Sequence, residues 1–237
     1  MSTSNRAETL RDALQGVDRF FLAHGTFPRQ VENEIALIDA GIAVGVRHVV
    51  KLSALGPASR LNPFAWHMKI EAHLASQPAA STVIRPSAFA DILKLSGPQI
   101  AAGAWTGAAG GGRVNFIDTR DIAKVVRVAL FEDVNPESQR AYHLTGPRTW
   151  TMQQVAAALS ELLARPVGYN HCSPEERRAA LLAGGSSPLV ADLLVGLDQV
   201  FRESVLGETT STVQELTGEP PRPLEACLAE NRSAFRN

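Results

Sequence analysis

Cysteine is nearly absent: Cys172 and Cys227 are the two in 237 residues. Two thiols cannot build a disulfide framework, and their spacing matches no metal motif. The chain is therefore expected in a reducing, cytoplasmic setting. Aromatic residues make up 6% of the chain, and no interleaving with Lys or Arg offers stacking platforms to RNA. An excess of one charge is missing as well. The net charge is −1 and the sequence pI about 6.6, which leaves no electrostatic case for nucleic acid. No run approaches the roughly 18 apolar residues of a membrane span, and the opening MSTSNRAETLRDAL has no apolar core of a signal peptide. The six histidines are scattered. His67 and His73 stand six apart, a spacing that does not set both on one helical face for a metal. Metal, membrane and nucleic acid are not expected.

What remains is an ordinary globular composition, 45% hydrophobic and 20% charged, enough for one large domain or two small ones. Ala7–Leu14 predicts a helix closed at Gly16. Val17–Ala23 (VDRFFLA) is a short apolar run after a glycine, the pattern of a buried parallel strand. Pro28 suits a first helical turn, and Val31, Ile35, Ile38 and Ile42 repeat on one helical face. Gly45–Ala54 predicts the next strand. A loop with Pro57 and Pro63 leads to a helix over Trp66–Ser76, and Ser81–Pro86 predicts a third strand. Near-continuous apolar strands alternating with helices argue for a parallel sheet covered on both faces. Downstream, Gly110-Gly111-Gly112 form a turn, RVNFI a strand, and Asp118 and Asp121 sit where an N-cap and first-turn carboxylate belong. Ala141–Pro147 predicts a strand. Thr149 to Gln153 opens a helix with Val155, Leu159 and Leu162 on one stripe. Beyond Arg165 the pattern turns to short helices and loops.

The segments VDRFFLA, AVGVRHVVKLSALG, WHMKIEAHLASQPAASTVIRPSAFADIL, FIDTRDIAKVV and YHLTGPRTWTMQQVAAALSELLARPVGY, in this order, resemble the NmrA-like family of atypical short-chain dehydrogenases/reductases. The resemblance extends to its NAD(P)H-quinone-reductase-like members. It implies an α/β fold: a Rossmann-type parallel sheet covered by helices, with a small C-terminal helical substrate lobe. Residues 1–165 would form the NAD(P)-binding part and residues 166–237 the lobe. It implies hydride transfer from NADP or NAD to a small-molecule substrate, quinone-like or another conjugated carbonyl. A non-catalytic cofactor or ligand sensor, or a partner-binding regulator, is the alternative.

Family members begin with a strand, a glycine-rich turn and a helix that hold the pyrophosphate. Nothing of that kind precedes Arg11, and the Gly110–Gly112 cluster is not in a strand–turn–helix context. The sheet is thus expected to be truncated by two βαβ units, on the order of 60 residues at about 30 per unit. Two expectations follow: weak or no dinucleotide binding by these 237 residues alone, and an exposed Val17–Ala23 edge. A second copy or a partner would cover such an edge.

The resemblance also names site residues. His24, Gly25 and Thr26, in the loop after the first strand, match a loop that touches the cofactor; a plain βα loop is the other reading. His67 matches a position that carries a catalytic or substrate-binding Lys in some members and His in others. An imidazole there can donate a hydrogen bond or a proton to a carbonyl oxygen, with Glu71 one turn on along the same face. The alternative is a surface histidine. Phe89, Ala90 and Asp91 match positions lining the nicotinamide pocket, although Asp91 and Ile92 depart from the more usual Glu-Asn pair. Ser53 matches a small hydroxyl residue near the reacting centre, or is an ordinary strand-end serine. The Tyr-x-x-x-Lys relay is absent: Gly146 and Ser173 follow Tyr142 and Tyr169 by four, and Pro63 stands in the Tyr place. Trp66, Trp105 and Trp150 would line an aromatic pocket or pack in the core.

Overall fold

The computed structural model describes residues 3–56 and 64–236 of the protein; Pro57 and Pro63 lie outside them. Along the chain run α1 (Thr3–Leu14), β1 (Arg19–Leu22), α2 (Gln30–Ala43), β2 (His48–Leu52), α3 (Phe64–Ala75), β3 (Ala80–Pro86) and β4 (Ala88–Phe89). A 3-10 segment, Ala90–Ser96, precedes α4 (Gly97–Ala101), β5 (Ala104–Gly107), β6 (Val114–Ile117), α5 (Thr119–Phe131), β7 (Gln139–Leu144) and β8 (Thr149–Trp150). Then come α6 (Met152–Leu163), β9 (Gly168–His171), α7 (Pro174–Ala183), α8 (Pro188–Arg202), α9 (Thr212–Thr217) and α10 (Leu224–Glu230).

The chain divides into two compact units. The first comprises Met1–Pro86 with Ala123–His143, the second Ser87–Ile122 with Leu144–Asn237. In the first, one sheet has the order β1-β2-β3-β7. β1 runs parallel to β2, with Phe20 opposite Val49, and β2 parallel to β3, with Val50 opposite Thr82. This is the parallel α/β sheet the alternating pattern predicts. Leu22, Ile38, Val49, Ile70, Leu74 and Val83 close the core between sheet and helices. Apolar area of this kind, removed from water, contributes about 25 cal/mol per Å².

Two details of α2 correct the sequence reading. Pro28 lies in a turn closed by the Gln30 N–H donating to Phe27 O, and the helix starts at Gln30, after it. The fully buried face carries Gln30, Glu34, Ile38 and Gly41, while Val31, Leu37 and Ile42 are only partly buried. The helix is rotated toward a carboxylate because that carboxylate has a buried cation to meet.

The second unit holds a three-stranded sheet, β4-β6-β8, and a two-stranded one, β5-β9. β4 and β6 are parallel, β6 and β8 antiparallel, β5 and β9 parallel. Thr149 and Trp150, read from sequence as the opening of a helix, form β8 instead. Thr151 is the actual N-cap, completing a capping box with Gln154. Gly112 is a packing glycine: a Cβ there would come within 2.0 Å of Phe201 O.

Candidate active site

In an open parallel sheet, ligands bind outside the carboxyl ends of the strands. In the first unit that end carries the loop after β1, the end of β2, and α3. His24, Gly25 and Thr26 leave β1 in a solvent-facing loop. His24 Nδ1 lies 2.6 Å from Gly25 O, and Nε2 lies 3.1 Å from Asn33 Nδ2. Nothing lies within 4 Å of the place a Gly25 Cβ would take, so the backbone here is open to a ring or phosphate. The β2–β3 ladder continues past β2: the Ser53 N–H donates to Ile84 O at 2.7 Å and the Leu55 N–H to Pro86 O at 2.8 Å. That fixes Ser53, which is buried, at the strand end. Its hydroxyl donates a short hydrogen bond to Glu71 Oε1. Glu71 Oε2 in turn accepts from Arg85 Nη2 at 2.5 Å.

The centre of the arrangement is Lys51, near the carboxyl end of β2. Its side chain and that of Glu34 are both at 0% exposure, with Nζ 2.6 Å from Glu34 Oε2. The contact is an ion pair whose angle departs from that of a linear hydrogen bond. Gln30 Nε2 donates to the other oxygen, Glu34 Oε1, at 2.8 Å. Nζ also donates to Leu52 O at 2.5 Å and lies 3.3 Å from His67 Nδ1. Burial holds the Lys51 ammonium below its ordinary range, and Glu34 opposes that shift. His67, half-buried on α3, is pushed down to about 4, by burial first and then by Lys51, with Glu71 opposing. At neutral pH the ring is therefore uncharged. It lines a cavity of about 440 Å³ together with Leu55, Phe64, Met68, Glu71 and Arg85.

Ser53 meets Glu71 through its hydroxyl, and His67 stands one turn before Glu71 on α3. Lys51, Glu34 and Arg85 were missed. The signal was present: a lysine between Val50 and Leu52 in a strand, and a glutamate on an amphipathic helix beside the apolar positions, are charges that only pairing makes tolerable inside.

Phe89, Ala90 and Asp91 belong to the second unit. Phe89 ends β4, Ala90 is buried, and Asp91 is ion-paired with Lys94 while its Oδ2 accepts from Thr119 Oγ1 at 3.3 Å. Asp91 lines a polar cavity of about 330 Å³ with Asp118, Arg120, Cys227 and Glu230. Asp118 caps α5 as expected: Oδ1 accepts the Arg120 N–H at 2.9 Å. Its Oδ2 also accepts from Arg222 Nε at 2.9 Å and from Cys227 Sγ at 3.0 Å. Burial would raise this carboxyl, but the bonds from Arg120, Cys227 and Arg222 outweigh it and hold it well below the usual carboxylate range.

A further cavity of the second unit, about 270 Å³, is lined by Trp105, Tyr169, Leu181, Leu194, Arg177 and Asp198, among others. Trp105 meets Tyr169 edge-on, with ring centroids 5.2 Å apart. Trp150 is buried beneath the Arg148 guanidinium, 3.4 Å from its ring centre, and Trp66 is half-buried on α3.

Whether NAD(P) fits this chain is decided by the donors at the carboxyl ends of the strands. The open backbone at Gly25 leaves room for a ligand at that end of the sheet. Among the described residues no strand–glycine turn–helix unit offers amides to the pyrophosphate. Nor is any group of three or more His, Cys, Asp or Glu among them arranged to hold a metal, and no helix is long and apolar enough to cross a membrane.

The pattern of the NmrA-like family matches residues 2–186. The chain is 31% identical over 230 residues to an NAD(P)H azoreductase of Xenophilus azovorans, covering 96% of this chain and 80% of that one. It is 33% identical over 227 residues to a (4-alkanoyl-5-oxo-2,5-dihydrofuran-3-yl)methyl phosphate reductase of Streptomyces griseus, covering 94% and 79%. Among solved structures, the NADPH complex of an NADPH-dependent quinone oxidoreductase from Escherichia coli superposes with a TM-score of 0.88 at 25% identity, covering 98% of this chain and 82% of that one.

Proposed function

The chain belongs to the NmrA-like family, and from that membership and the site we propose that it is an NAD(P)H-dependent oxidoreductase reducing a quinone-like or other conjugated carbonyl compound. The observation that carries the reading is His67: an uncharged imidazole on the wall of a cavity, held from behind by a buried cation. Bound NAD(P)H supplies the hydride. The chain's own residues do the rest. His67 donates a hydrogen bond to the carbonyl oxygen, where negative charge builds as the hydride arrives. Ser53, fixed through Glu71 and Arg85, keeps the neighbouring wall polar and rigid. The loop of His24, Gly25 and Thr26 contacts the cofactor, and Phe89, Ala90 and Asp91 line the nicotinamide pocket. Residues 1–165 are assigned to the cofactor part and residues 166–237 to the substrate lobe. The relatives named above are reductases, which favours turnover over non-catalytic sensing.

The test is titration of the purified chain with NADPH and NADH, followed by reduction of a quinone panel. Saturable binding of at least one of the two is expected. Turnover is expected at saturating cofactor, with His67→Ala lowering kcat by about 100-fold, the lower end for a positioned donor. No turnover with any quinone or enone at millimolar cofactor overturns the reading.

The reading extends to a partner. β1 is the outer strand of its sheet, with Phe21 at 37% exposure, and a second copy paired along it would satisfy its free backbone groups. Sedimentation is expected to give a dimer; a stable monomer removes this part of the proposal.

A further inference from the structure

Which ring nitrogen of a neutral histidine carries the proton is set by the partner of the other nitrogen. A carbonyl oxygen accepts hydrogen bonds and gives none, so His67 serves the proposed chemistry only if a nitrogen facing the cavity carries hydrogen. A ring with the opposite tautomer would present a lone pair and repel the oxygen.

The surroundings of His67 decide this. Its Nδ1 faces Lys51 Nζ at 3.3 Å, and Nε2 has no hydrogen-bond partner among the described residues. An ammonium has three donors and no acceptor. Three acceptors surround this one: Glu34 Oε2, Leu52 O and His67 Nδ1. Lys51 can therefore meet Nδ1 only as a donor, which leaves Nδ1 without a proton. The other acidic group near the ring, Glu71, is engaged by Ser53 and Arg85 and does not compete for Nδ1. Lys51 itself cannot turn away, since its side chain is fully enclosed and Glu34, anchored by Gln30, fixes its head.

We propose that Lys51 is a positioning residue: locked by its buried pair with Glu34, it donates to Nδ1 of His67 and holds the imidazole as the Nε2–H tautomer, a fixed hydrogen-bond donor toward the cavity. This rests on the reductase reading for its purpose, though not for its geometry. It also gives the buried pair a reason to exist. Replacing a buried ion pair by apolar side chains is often neutral or stabilising, so a role for Lys51 at His67 accounts for a charge that folding alone does not require.

The experiment is long-range proton–nitrogen correlation NMR on the chain labelled with nitrogen-15 in histidine, with the His67 signals assigned by their loss in His67→Gln. The expected wild-type spectrum shows His67 Nδ1 as an unprotonated nitrogen and Nε2 as a protonated one, unchanged between pH 6 and 8. In the Lys51→Met/Glu34→Gln double variant the two nitrogens are expected to move toward averaged positions as the tautomers mix. The midpoint of the His67 titration should rise above its value near 4, because a neighbouring cation has gone. A proton on Nδ1 in the wild type overturns the proposal, and so does an unmixed Nε2–H tautomer in a folded double variant. The wild-type spectrum is decisive even if the double variant fails to fold. Quinone reduction is measured on the same samples: an inactive wild type with the Nε2–H tautomer defeats the reductase reading and leaves the positioning intact. In an active enzyme, the double variant should lose kcat with little change in KM.

Discussion

Each unit of the protein buries charge, and the two do so differently. Around Lys51 in the first unit, a cation and an anion are both fully enclosed, and the last contact of the cation is a half-exposed histidine with a nitrogen to spare. Around Asp118 in the second unit, a single buried carboxylate gathers Arg120, Arg222 and Cys227 and holds the start of α5 to the Arg222 loop and α10. Asp118 is fully spoken for and closes its surroundings. The Lys51 group hands its order on to a side chain at the edge of a cavity. A buried charge is thus weak evidence of function until one follows where its last hydrogen bond goes.

Substitution of Lys51 should separate the two most. Lys51→Met leaves Glu34 as an uncompensated charge in the core and is expected to lower stability by about 3–5 kcal/mol, read by urea denaturation. Lys51→Met/Glu34→Met should recover most of that loss. If the single variant is as stable as the parent, Glu34 does not need its partner.

Acid provides the next largest effect, and in two steps. His48, fully buried beside Thr82, is pushed down to about 4, by burial first and then by Arg19 and Arg140. The unfolded chain, with a histidine near 6.5, takes up a proton before the folded one does. Stability held at neutral pH is therefore lost as pH falls from about 6.5 to about 4, on the order of 3 kcal/mol for His48; His48→Gln should reduce that slope by its own share and leave the part due to His67, which is pushed down alike. Asp118 loses stability in the same direction, but at lower pH. Its folded value lies below the unfolded one near 3.8, so its contribution is intact above that value and lost only as pH falls below it. Circular dichroism against pH should show the first unit weakening before the second.

The smallest effect is expected at Asp118 itself. Asp118→Asn keeps the cap on α5 but loses charge-assisted bonds, about 2 kcal/mol. It should leave the His67 tautomer untouched, and a change there would couple the Asp118 cluster to the Lys51 group.

The sheet was legible because its strands are local and apolar. The runs at Val17–Ala23, Gly45–Ala54 and Ser81–Pro86 cover β1, β2 and all but the first residue of β3, and the helices fall between them. β4, β5, β8 and β9 were not, since they carry no apolar run of their own and form only through partners distant in sequence, as Trp105 does opposite Tyr169. At the site, the resemblance pointed to Ser53 and His67, and helical spacing put Glu71 on the His67 face. The ion pair could not, because an amphipathic count scores Glu34 as a surface residue. Only the location of Lys51 turns that face of α2 inward.

The chain crosses between its two units three times, at Ser87, Ala123 and Leu144. Neither unit is a continuous stretch, so the order of synthesis is not the order of completion. On a ribosome the first 86 residues can form β1, β2 and β3, but their sheet must wait for β7, more than fifty residues later, to gain its fourth strand. Until then β3 has a bare flank in a nascent chain, where an unpaired strand invites misassembly. Slow translation through residues 87–138, or a chaperone bound over them, would have a larger effect on yield than on the stability of the finished protein.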